Sequence, residues 1–134
     1  MQAPRVRSLV GIQLRCEFAA VAANFGEPET VDYSPQDEGA RFGTYSWASR
    51  GVSVLTWLTD AGELVWGVRL DGPGSSDPVL GFGVGSARKD VLECLPPGWT
   101  ENDGVIAIPI DDDHLMIVFK EDRVSSIRLM APMG

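Results

Sequence analysis

Few residues in this chain have types and spacing that could do chemistry. A single histidine, His114, follows three consecutive aspartates, Asp111, Asp112 and Asp113. Hard oxygen ligands of this kind suit calcium or magnesium. A calcium loop, however, spaces its acids as D-x-D-x-D-G, and adjacent acids on a turn point in different directions. The run reads as a solvated acidic turn, and no metal is expected. Cys16 and Cys94 are far apart in sequence and form no C-x-x-C pair, so two buried, reduced thiols are the simpler reading. Either thiol would need a neighbouring base to act as a nucleophile, and His114 comes with no third orienting group. Gly81-Phe82-Gly83-Val84-Gly85 ahead of Ser86 lacks the sixth-position glycine of a dinucleotide fingerprint and the Lys-Ser/Thr of a P-loop. Neither a catalytic residue nor a cofactor is expected.

What remains is a set of aromatic and arginine residues, the types that dominate binding hot spots. Side chains alternate across a strand. Over 64–70 this puts Leu64, Trp66, Val68 and Leu70 on one face and Val65, Gly67 and Arg69 on the other. In the same way Ile127 and Leu129 point inward, with Ser126 and Arg128 outward. Tyr45 and Trp47 share one strand face, as do Leu55 and Trp57. The candidate partner-binding set is therefore Tyr45, Trp47, Trp57, Arg69, Asp111, Asp112, Asp113 and Arg128. The alternative, that each tryptophan belongs to the core, stays open at this point.

The elements that must position these residues come in two copies. Gly11, Ile12, Leu14, Val21 and Phe25 are matched by Gly81, Phe82, Val84, Val91 and Leu95, each 70 positions on. Phe18, Val21, Ala22 and Phe25 fall at i, i+3, i+4 and i+7, one face of an amphipathic helix. Gly26 sits where a helix end favours positive φ, and Pro28 prevents continuation. In the second copy Ser86 suits an N-cap, Val91, Leu92 and Leu95 form the stripe, and Pro96-Pro97-Gly98 stops the helix. Strands are expected at 42–48, 52–58 and 64–70, then at 105–110, 114–120 and 123–130. Val65, Val68, Arg69 and Leu70 recur 59 positions on as Val124, Ile127, Arg128 and Leu129. The smaller offset reflects extra loop at 29–40. The expected fold class is α+β: two helix-plus-three-strand repeats, 9–71 and 79–131, joined by a polar linker at 72–78, forming one antiparallel sheet with both helices on one face. The whole of 1–134 is then a single domain.

Composition narrows the function classes. The 134 residues are 44% hydrophobic with a mean hydropathy of zero, as in folded globular domains. No apolar run approaches the roughly 20 residues of a membrane span. Residues 1–10 carry two arginines with no apolar stretch behind them, so neither a secretory signal nor a lipid-accepting cysteine is visible, and the expected location is the cytoplasm. The net charge is −8. An acidic surface repels phosphate backbones and steers the chain toward a basic partner.

The second copy opens as Gly81-Phe82-Gly83-Val84-Gly85-Ser86 and closes as Phe119-Lys120-Glu121-Asp122-Arg123-Val124-Ser125-Ser126-Ile127. This pattern resembles the small outer-membrane lipoprotein (SmpA/OmlA) domains and the β-lactamase-inhibitory-protein fold, itself a tandem of such units. The resemblance implies a protein that presents a sheet face and loops to another protein. The expected function is a non-catalytic protein-binding domain, an inhibitor or immunity protein that neutralises a basic toxin or enzyme. Two alternatives are a small-ligand-binding or accessory module and an envelope assembly factor.

Overall fold

The computed structural model describes residues 8–35, 41–60, 62–72, 76–77, 81–95, 97–110 and 113–131. The described residues open with a short hairpin, β1 (Ser8–Leu9) and β2 (Ile12–Gln13), then a helix, α1 (Phe18–Phe25). Four strands follow: β3 (Thr30–Pro35), β4 (Arg41–Trp47), β5 (Val52–Thr59) and β6 (Gly62–Leu70). The order then recurs. A second hairpin, β7 (Ser76–Asp77) and β8 (Phe82–Gly83), leads into α2 (Arg88–Cys94) and the strands β9 (Thr100–Asn102), β10 (Val105–Ile110), β11 (Asp113–Lys120) and β12 (Arg123–Met130).

The eight longer strands form one antiparallel sheet in the order β3-β4-β5-β6-β12-β11-β10-β9. This overturns the expected α+β class. The described residues are mostly β, 57% strand against 17% helical, with two short α-helices among them. The expectation missed the outermost strands. Thr30–Pro35 alternates Val31 and Tyr33 with polar residues but ends in proline inside the stretch read as loop, and Thr100–Asn102 is three exposed polar residues with no alternation. Both are edge strands, where polar residues and proline discourage further pairing. Part of the expected linker is ordered instead, as β7 paired with β8.

The helices follow from local chemistry. α1 buries Val21 and ends at Gly26, whose φ of 82° any larger side chain would resist and whose N–H donates to the Ala22 carbonyl at 2.8 Å. Ser86 does not cap α2. Its hydroxyl accepts from the Gly83 N–H at 3.0 Å, closing the turn after β8, and Ala87 takes the cap position. Both helices lie on one face of the sheet. Phe18 stacks on Tyr45 with ring centroids 3.9 Å apart, and the Arg88 guanidinium sits over the Phe119 ring. Beneath them Val54, Val68, Leu70, Leu115, Ile117, Ile127 and Leu129 are buried. Burying each such side chain stabilises the fold by about 1.5–3 kcal/mol.

The leads before the helices dock on the sheet at equivalent places. Arg15 N–H donates to the Val65 carbonyl and Val65 N–H to Cys16; Gly85 N–H donates to Val124 and Val124 N–H to Ser86. These are the offsets of 70 and 59 read from the sequence. β6 and β12 meet at the centre of the sheet, where Arg69 pairs directly with Arg128. Because these two residues correspond to each other, the pseudo-two-fold axis relating the halves passes between them.

Candidate functional site: the open face of the sheet

One sheet face carries the helices, and no described element covers the other. Strand register assigns each residue to a face. Trp47 pairs with Val52, Tyr45 with Val54 and Gly43 with Thr56, so Tyr45 and Trp47 point toward the helices. They are 4% and 3% exposed, packed against Phe18 and Phe25. This removes both from the candidate partner-binding set: the alternative reading, core, holds for Trp47, and Tyr45 joins it. Asp113 is half-buried and held by Arg15 in a two-pronged ion pair of 2.7 and 3.1 Å. It is a tether between the first hairpin and β11, not a free recognition group. Asp111 and Asp112 lie outside the described residues.

Trp57, Arg69 and Arg128 do stand on the open face. Trp57 is 43% exposed and pairs with Phe42 on one side and Leu64 on the other. Strict alternation nevertheless failed within β6. A bulge between Leu55 and Thr56 makes Trp66 an extra residue, so that Val65 joins Val68 and Leu70 in the core. Trp66 packs edge-on to Phe42 and donates its indole N–H to the Thr56 carbonyl at 3.1 Å. β12 has the matching bulge opposite Val118 and Phe119.

The register draws one continuous row across all eight strands of this face: Thr30, Ser46, Ser53, Arg69, Arg128, Met116, Ala107 and Thr100. Its two central members are like charges in direct opposition, an arrangement that destabilises a sheet. Compensation is one-sided. Arg69 Nε is 3.0 Å from an Asp71 carboxylate oxygen without forming a hydrogen bond, and its Nη2 reaches Ser53 Oγ at 3.5 Å, the long limit of such a contact. Arg128 has no ion-pair partner among the described residues, and its Nε is buried without a hydrogen bond. The Ser126 hydroxyl, one row away, is also buried and unsatisfied. Leu55 and Met130 flank the pair, Met130 packing over Gly67. Sequence reasoning placed the two arginines on this face but missed Ser53, Met116 and Met130 beside them. Residue type alone does not tell which residues pair across strands.

Two other arrangements lie on the helix side. Tyr45 donates to Glu63 Oε2 at 2.5 Å, Thr56 donates to the same oxygen at 2.6 Å, and the Tyr33 hydroxyl bonds that of Tyr45. Burial, then the bond to Glu63, pushes the Tyr45 phenol well above its ordinary pKa, so it stays protonated and keeps donating. The network satisfies a carboxylate at the core's margin. Separately, a cleft of about 200 Å³ opens between the first hairpin and α1, lined by Gln13, Cys16, Ala20, Val21, Asn24 and Phe25 among others. Burial raises the Cys16 thiol above its usual pKa, which disfavours the reactive thiolate. Among the described residues no group of three or more His, Cys, Asp or Glu could hold a metal ion, and no helix is long and apolar enough to cross a membrane.

No protein-family model matches the chain, and no curated protein matches it. Two solved structures share its fold. One is an extracellular protein containing a SCP domain from Bacillus anthracis str. Ames, at TM-score 0.63 and 15% identity over 98% of this chain and 48% of that one. The other is a DUF4309 family protein, YjgB, from Bacillus subtilis subsp. subtilis str. 168, at TM-score 0.51 and 18% identity over 98% of this chain and 86% of that one. The chain thus spans about half the length of the first structure and most of the second.

Proposed function

We propose that the chain is a non-catalytic protein-binding domain of inhibitor or immunity type, which closes the open face of its sheet on a partner of net positive charge. One observation carries the reading: a pair of directly opposed arginines, one without an ion-pair partner among the described residues, stands beside Leu55, Met116 and Met130 on a face that no described element covers and that exposes Trp57 two rows away. Arginine and exposed aromatics with apolar neighbours are the composition of binding hot spots. The net charge of −8 supports a basic partner, because long-range fields govern encounter while close contacts govern the fit.

The test compares faces. A photo-crosslinking residue at Trp57 reports the open face, and one at Ala23, exposed on α1, reports the helix side. The expected result is a basic polypeptide crosslinked from Trp57 only, released by salt before irradiation and lost in the Arg69→Gln/Arg128→Gln variant. Equal crosslinking from both positions, or crosslinking unchanged in that variant, would overturn the proposal. The cleft beside α1 supports a second reading, a small-ligand module. It predicts a raised thermal midpoint in a metabolite screen that Ala20→Trp abolishes.

A further inference from the structure

The open face has a chemically specific centre. Two guanidinium groups occupy directly paired positions on antiparallel strands, so their stems leave the backbone about 5 Å apart. Each offers terminal N–H groups in a planar fork that fits an oxyanion in two-point fashion. The buried Nε atoms are turned away from solvent, and Arg69 retains 33% side-chain exposure. Asp71 stands beside one arginine only. The site therefore has spare cationic capacity at its middle. Its surroundings are mixed: Leu55, Met116 and Met130 supply apolar surface, and the Ser53 and Ser126 hydroxyls supply polar atoms. A free inorganic anion would find polar contacts at the forks and hydroxyls but would lose water against the apolar side with nothing gained there. A carboxylate carried on an apolar stem would place the stem on the methionines and leucine and its two oxygens between the forks.

From this juxtaposition we infer that Arg69 and Arg128 form one carboxylate-binding site, which receives an acidic side chain of the partner at the pseudo-two-fold axis. The inference rests on the protein-binding reading and adds what the partner must present: a carboxylate with apolar neighbours, within a surface that is basic overall. The pair acts as a single site because one carboxylate has two oxygens and the axis presents two equivalent forks. Bound there, the anion converts mutual repulsion of the arginines into shared attraction.

The site can be tested without the partner. Benzoate supplies a carboxylate on an apolar ring, benzamide is its neutral counterpart, and inorganic phosphate is the free-anion control. Titrations of the whole chain are followed by the arginine side-chain N–H resonances and by the thermal midpoint. The expected result is saturable movement of the Arg69 and Arg128 signals with benzoate, none with benzamide at equal concentration, and weaker movement with phosphate. Arg69→Gln/Arg128→Gln weakens benzoate binding at least tenfold, and Arg128→Lys, which keeps charge but loses the fork, gives an intermediate loss. Tighter binding of phosphate than of benzoate would overturn the carboxylate assignment, as would benzoate binding unchanged in the double variant or no movement at all. If the double variant does not fold, the Arg128→Lys comparison decides. Failure here leaves the crosslinking result standing, and empty crosslinking leaves a benzoate site intact, so the two claims fail separately.

Discussion

Replacing Arg128 with methionine should stabilise the uncomplexed chain. In the native sheet Arg128 faces Arg69 directly, and opposed like charges cost up to about 1 kcal/mol. Its Nε is buried without a hydrogen bond, and an unsatisfied buried donor costs roughly 1–3 kcal/mol. Both figures need discounting, because the side chain is only partly buried and solvent screens the charge. Methionine keeps an apolar stem of similar reach beside Met116, the cross-strand neighbour, so little contact is lost. The net expectation is about 1 kcal/mol of added stability, or roughly 3–5 °C in the midpoint for a chain of this size. Urea unfolding with unchanged slope, together with a thermal scan, measures it. Salt gives an internal control: at 1 M the Debye length falls to about 3 Å, so the wild type should gain on the variant and the gap should narrow. A loss of more than about 1 kcal/mol in Arg128→Met would refute the reasoning. It would mean that the guanidinium is structurally satisfied and that nothing about the pair requires a ligand.

Three further outcomes follow from other parts of the structure. Gly43→Ala places a Cβ 2.7 Å from Thr56 Oγ1 and 3.2 Å from Glu63 Oε2, inside the Tyr45–Glu63 network, and should cost about 1–3 kcal/mol in urea unfolding. Arg15 holds φ at 70° where its counterpart is Gly85, so Arg15→Gly and Arg15→Ala both lose the ion pair to Asp113 but only glycine relieves the backbone; the glycine variant should be the more stable by about 1 kcal/mol in paired thermal scans. Arg88 donates to Glu101 and holds that carboxyl below its usual 4.5. A depressed acid contributes stability that is complete above the unfolded value and lost as pH falls through the folded one, so Glu101→Gln should flatten the decline in urea midpoint between pH 7 and about 3.

The sequence made some of this legible and hid the rest for physical reasons. Helix α1 was readable because its period, glycine stop and following proline agree. The pairing of halves was readable because two offsets held over many apolar positions. The fold class was not, since it depended on two edge strands: one whose short Val31–Tyr33 alternation is cut off by proline, and one of three polar residues with no alternation. Tyr45 and Trp47 were misplaced because aromatic type fits a hot spot and a core equally well; what decides is Phe18 on a different element. The faces of Leu64 and Trp66 were misread because the bulge at Trp66 shifts the alternation, and a bulge has no signature in type. Arg69 and Arg128 were placed on one side correctly, but their direct opposition required the register between β6 and β12.

That opposition is a consequence of duplication. When two like units join through their last strands around a two-fold axis, one strand position must meet its own copy. Whatever residue the unit carries there is self-opposed. For an apolar residue this is harmless or favourable, as the neighbouring pairs Val68 with Leu129 and Leu70 with Ile127 show by being buried. For arginine it brings repulsion that a single change in either copy would remove. Elsewhere the copies have diverged freely: Ile106 stands where the first half has Tyr45, and Phe119 where it has Thr56. A residue costly at the axis alone, kept on both sides of it while cheaper positions differ, is accounted for by a ligand that uses both forks. The Arg128→Met scan and the benzoate titration address the two halves of that account, the cost in the free chain and its recovery in the bound one.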